Sequence, residues 1–158
     1  MKLKEILSTI ISKDLQTESK SYSFKVRKIS KEYSGFKYTE YLYSFSIDDI
    51  NYECYITPNL WRKHYYDVAF AVKGGSTKDR VKKDIDFMNS VLKTVADCMI
   101  DFINDMDKLN ILAFEGDRLR EKVYVRFFRN HPYFSKFEID DTHTKSGFVE
   151  IHIEKGLD

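Results

Sequence analysis

Between Lys83 and Asn104 the apolar residues Ile85, Met88, Leu92, Val95, Met99 and Phe102 are separated by steps of three and four. Residues at that spacing share one face of a helix, so the stretch predicts a long amphipathic helix with a single apolar stripe. Such a stripe must be buried, and the segments around it change to a period of two, the spacing of strands with one apolar face. A helix lying on a sheet is the arrangement that satisfies both patterns.

The flanking segments can be placed in order. Leu3, Ile6, Leu7, Ile10 and Ile11 predict a first helix over residues 2–15, with one stripe free to dock on the domain or on a partner. Alternation over Ser21–Val26, with Tyr22, Phe24 and Val26 on the inner face, and again over Tyr38–Ile47, predicts two strands. Asp48-Asp49-Ile50-Asn51 supplies turn chemistry before Tyr52, Cys54 and Ile56 resume the alternation, which predicts a hairpin ended by Pro58. A further strand runs from Asp67 to Lys73, and its small face, Ala69 and Ala71, is expected to lie under a helix.

After the long helix, Leu109–Phe114 is apolar at every position but Asn110, as expected of a strand inside a sheet. Leu119, Val123 and Phe127 predict a second helix that Pro132 ends. Phe137 and Ile139 mark another strand. Val149, Ile151 and Ile153, alternating with Glu150, His152 and Glu154, predict a last, half-exposed one. The expected fold is α+β, with a largely antiparallel sheet, helices on one face and element order α-β-β-β-β-α-β-α-β-β.

At 158 residues, with 42% hydrophobic residues, the chain has the size of one domain spanning residues 1–158 and can bury a substantial core. The 26 Lys+Arg and 25 Asp+Glu leave a net charge of +1, which removes any general electrostatic argument for nucleic acid or a membrane surface. No window of the sequence is apolar enough to span a bilayer, and polar residues interrupt the N-terminal apolar stretch too early for a secretion signal. Cys54 and Cys98 form no metal or redox motif and are expected to be buried free thiols, as suits a reducing compartment.

Charge is unevenly distributed. Segment 20–37 carries Lys20, Lys25, Arg27, Lys28, Lys31 and Lys37 against Glu32, interleaved with Tyr22, Phe24, Tyr33 and Phe36. Such a stretch can bind single-stranded nucleic acid, although strict alternation turns the aromatics away from the bases and makes the cations a solvated strand face. Segment 73–83 carries Lys73, Lys78, Arg80, Lys82 and Lys83 against Asp79, around Gly74-Gly75-Ser76-Thr77, and is a candidate anion contact. Asp105 and Asp107, at the far end of the predicted helix, oppose its macrodipole. Charge left uncompensated in that way is expected on a partner surface.

Trp61-Arg62-Lys63-His64-Tyr65-Tyr66 gathers the only Trp, two cations and two Tyr after Pro58. Trp61, Arg62, His64, Tyr65 and Tyr66 are the candidate protein interface, since large rigid side chains with polar tips dominate such contacts; Trp61 as a plug at one end of the core is the alternative. Lys25, Arg27, Lys28, Lys78, Arg80, Lys82 and Lys83 are the candidate anion or nucleic-acid contacts. The four histidines have no ligand spacing and no nucleophile set accompanies Asp140-Asp141-Thr142-His143, so neither metal, cofactor nor catalysis is expected.

Residues 67–134 carry four further elements in sequence: Val68-Ala69-Phe70, Val91-Leu92-Lys93-Thr94-Val95, Ile111-Leu112-Ala113-Phe114 and Arg120-Glu121-Lys122-Val123-Tyr124. In order and spacing they resemble a family of small α+β proteins of tailed bacteriophages, with a V-x-x-T-V-like helix core, an I-x-F strand and an R-x-x-x-Y helix. This chain departs from that pattern at the strand-to-helix turn, where Gly74 to Lys83 replaces a shorter T-G-x-G-D-A-like segment. The resemblance implies a phage origin and names no active residues. The expected function is a non-enzymatic phage protein working through protein–protein contacts with other phage proteins or copies of itself, as a virion structural or accessory component, in the virion or the host cytoplasm. The alternative is a phage effector that binds a host factor, nucleic acid or nucleotide through segments 20–37 and 73–83.

Overall fold

The computed structural model describes residues 21–73, 85–115, 118–141 and 148–157. Seven strands form one sheet: β1 (Lys25–Tyr33), β2 (Phe36–Ile47), β3 (Ile50–Pro58), β4 (Tyr65–Val72), β5 (Leu109–Glu115), β6 (Glu138–Asp140) and β7 (Phe148–Lys155). The spatial order is β1-β2-β3-β4-β5-β7-β6, and only β4 and β5 run parallel. Their connection carries helix α1 (Ile85–Asp105), because parallel neighbours need a crossover to bring the chain back. Helix α2 (Arg118–Asn130) joins β5 to a short 3-10 turn, Phe134–Lys136, ahead of β6. The α+β fold and the expected order of elements hold; the helix expected over residues 2–15 lies outside the described residues.

Two-residue turns set the register of the first three strands. Asp48 and Asp49 have φ of 48° and 64°, and Ser34 and Gly35 have 47° and 83°. Positive φ at both central positions gives the turn twist that matches the strands it joins. The first of these hairpins follows the Asp-Asp signal. The second was not expected, and it extends β1 to Tyr33, well past the strand predicted at Ser21–Val26.

Both helices pack on one face. Val91, Leu92, Val95, Cys98, Met99 and Phe102 of α1 are fully buried with Tyr43, Cys54 and Ile56 of the sheet. Phe102 meets the rings of Tyr41 and Tyr66 at 4.8 and 4.9 Å, which places α1 over β2 to β4. On the other side Phe114 of β5 touches Tyr124 and Phe128 of α2 at 5.2 and 5.3 Å. Cys54 and Cys98 are free and buried, and burial pushes the Cys54 thiol up to about 12. Among the described residues no helix is long and apolar enough to cross a membrane.

Three expectations about which side chains are covered are corrected. Val68 and Val72 face the helices while Ala69 is exposed, so the small face of β4 is the one that described helices leave uncovered. Tyr22 and Phe24 pack against the core, but Val26 is 46% exposed, because β1 is the sheet edge and extends past the helix layer. Finally, β7 lies between β5 and β6, inside the sheet, and its Glu150 is only 4% exposed.

Candidate functional site

No helix among the described residues packs on the second face of the sheet, and there the register lines up carboxylates. Thr57 pairs with Asp67, Asp67 with Ala113, Ala113 with Glu150, and Glu150 with Asp140. Thr57 also donates to Glu40 Oε2 at 2.9 Å, which extends the row to β2. Burying a carboxylate demands a partner. Glu40 has Lys31 at 3.0 Å in addition to Thr57, and Glu150 has Arg62 from the β3–β4 connection and Tyr65 from the start of β4.

That connection is the loop singled out in the sequence. Asn59 Oδ1 accepts from the backbone N–H of Trp61 and of Arg62 at 2.9 and 3.0 Å, a side-chain turn that fixes the start of the loop. Its end is fixed by His64, at φ 59°, whose carbonyl accepts from the N–H of Asn110 at 2.8 Å, where the β5–β7 register shifts. Between these anchors Arg62 extends over the open face. Its guanidinium lies 4.0 Å above the Tyr65 ring, and its Nη1 is 3.3 Å from Glu150 Oε2. Tyr65 donates its hydroxyl to the same oxygen at 2.7 Å. Burial, followed by that hydrogen bond to Glu150, raises the Tyr65 hydroxyl well above its ordinary pKa, so it remains a donor at physiological pH.

Pairing of β4 with β5 ends at Val68 and Phe114, although β4 continues to Val72. Near this point lies a cleft of about 370 Å³ lined by Asn59, Arg62, Tyr65, Asp67, Glu115, Phe148 and Glu150. Three carboxylates face one guanidinium there. Burial, and then Glu115, hold the Asp67 carboxyl above its ordinary range, with Arg62 opposing. The cleft is therefore suited to a cation.

The sequence candidates separate into groups. Trp61 is 85% exposed on the loop that supplies Asn59 and Arg62 to the cleft, which disposes of its alternative role as a core plug. Arg62 and Tyr65 line the cleft, and His64 contributes its main chain. Tyr66 points to the opposite face and packs on Phe102, because successive strand residues alternate. The cations of β1 do not gather into one patch: Lys28 is on the helix side, 3.1 Å from Asp105, whereas Lys25 and Arg27 point to the open face opposite Ser44 and Leu42. Asp105 also accepts from Tyr41 at 2.7 Å, so of the two carboxylates expected to await a partner, Asp105 is compensated within the chain. Lys78, Arg80, Lys82, Lys83 and the Gly74-Gly75 loop lie outside the described residues.

The sequence reading missed Asp67, Glu115 and Glu150. A signal for Asp67 was available, as a charge within the apolar run Tyr65–Val72. For Glu150 there was none, since alternation cannot tell a solvated face from one covered by a distant loop. No family model, curated protein or solved structure matches the chain.

Proposed function

We propose that the protein is a binding module whose Trp61 loop and anionic cleft together grip a basic segment of a partner protein. The observation that carries this reading is the 85% exposure of Trp61 on a loop anchored at both ends, whose Asn59 and Arg62 line a cleft with three carboxylates. An exposed aromatic on a fixed loop loses little conformational freedom on docking. The anionic cleft adds selectivity for a Lys or Arg side chain over an acidic one. With the phage resemblance, the partner is another phage protein or a host factor, and the chain acts as a virion or accessory component rather than as an enzyme.

Trp61, the only tryptophan, reports on its own docking. Titration with short Lys- and Arg-rich peptides is expected to shift its fluorescence to shorter wavelength in a saturable way. Acidic peptides of equal length produce no shift. Glu115→Gln and Asp67→Asn are each expected to weaken the effect. A flat titration, or one indifferent to both substitutions, overturns the proposal.

A further inference from the structure

Next to the cleft, β6 and β7 bring two further groups to Glu150, which lines it. Their register pairs Asp140 with Glu150 and Glu138 with His152, so Asp140, Glu150 and His152 are neighbours on the open face. One ligand atom from each lies within 4.8 Å of the other two. We propose that Asp140, Glu150 and His152 bind a first-row divalent transition-metal ion.

Three features beyond proximity support the assignment. His152 Nε2 is buried from solvent and has no hydrogen-bond partner, an uncommon state for an imidazole nitrogen. It lies 3.8 Å from Glu150 Oε1, too far for a hydrogen bond. Two donors on one ion, each about 2.0–2.2 Å from it, are about 3–3.5 Å apart, so a small inward movement closes the site. Glu150 is also oriented from outside the triad, since Tyr65 and Arg62 both engage Oε2, while Oε1 lies 3.8 Å from His152 Nε2. Outer groups of that kind commonly fix the ligands of metal sites. One imidazole with two carboxylates and no thiolate suits zinc, cobalt, manganese or iron better than magnesium or calcium. Three protein ligands leave further coordination positions for water or a bound molecule.

The test is titration of the full chain, stripped of metal by chelator, with Co2+ and with Zn2+. One equivalent of Co2+ is expected to bind with a visible ligand-field band, to lack the intense near-ultraviolet absorption of thiolate ligation at Cys54 or Cys98, and to be displaced by Zn2+. His152→Gln and Asp140→Asn, each checked for fold by circular dichroism, are each expected to weaken binding at least about tenfold. Trp61→Ala is expected to leave it unchanged, so this site and the peptide-binding reading fail separately. No stoichiometric binding up to about 1 mM metal overturns the proposal. So does an affinity in both variants equal to that of the wild type, which locates the ion elsewhere, or displacement of Co2+ by an equal concentration of Mg2+.

Discussion

Lys155 donates from Nζ to the carbonyl oxygen of Ile103 at 2.9 Å, so the last strand supplies a positive charge to the C-terminal turn of α1. That turn contains no basic residue of its own and ends on Asp105. A helix leaves its final carbonyls without internal partners, and a cation there also answers the negative end of the macrodipole. The hydrogen bond from Tyr41, and then that from Lys28 with its charge, hold the Asp105 carboxyl below the ordinary range from the sheet side. Lys155→Met retains most of the aliphatic stem and removes only the donor. It is expected to lower the unfolding free energy by about 0.5–1.5 kcal/mol, measured by urea denaturation.

The next residue along closes the same corner. Gly156 has a φ of 66°, and a Cβ added there would collide with the carbonyl oxygen of Asp107. Alanine therefore meets both left-handed strain and a backbone clash that no side-chain rotation relieves. Gly156→Ala is expected to cost about 2 kcal/mol or more and to lower Tm accordingly. Thermal unfolding followed at 222 nm checks it.

These contacts show which parts of the molecule a sequence can express. The α1 stripe, the Asp48-Asp49 turn and the apolar run of β5 each repeat one local rule often enough to determine an element. Lys155 and Ile103 are 52 positions apart. Their pairing depends on β7 entering the sheet beside β5, and no local pattern encodes that. The open face was hidden for the same reason. Glu150 in Val149–Ile153 has the alternation of a solvated position, and only the register with Ala113 and the return of Arg62 from a loop 88 residues away bury it. Trp61 and Arg62 stood out by residue type, which identified the loop but not which way each neighbour points.

His131 couples stability to pH. It is half-buried against the rings of Phe127 and Phe134, at 5.7 and 5.2 Å, and its Nδ1 accepts from the backbone N–H of Tyr133 at 3.1 Å. Burial lowers its pKa from 6.5; Asp97 opposes the shift and Lys93 adds to it. The folded state thus disfavours the proton that the unfolded chain accepts near its ordinary pKa. The stabilisation is complete above about pH 7.5 and is lost as pH falls through 6.5 toward the lowered folded value. His131→Gln is expected to flatten the loss of stability between about pH 7.5 and 5, read from urea midpoints at each pH.

Asp67 has the opposite sign. Burial and Glu115 raise its pKa above the ordinary 3.8, so in the folded state the charged form is the disfavoured one at neutral pH. Its contribution is most favourable below about pH 3.8, where the group is protonated whether folded or unfolded, and is lost as pH rises through the raised folded value. Asp67→Asn removes the charge while keeping the shape. It is expected to raise Tm at pH 7, with the gain disappearing once the wild-type carboxyl is protonated. The same substitution weakens binding of a basic peptide, because the repulsion between Asp67 and Glu115 that costs stability in the empty cleft is what a cation relieves. A carboxylate kept only for packing predicts the opposite pair of results, with lower Tm and unaltered peptide binding.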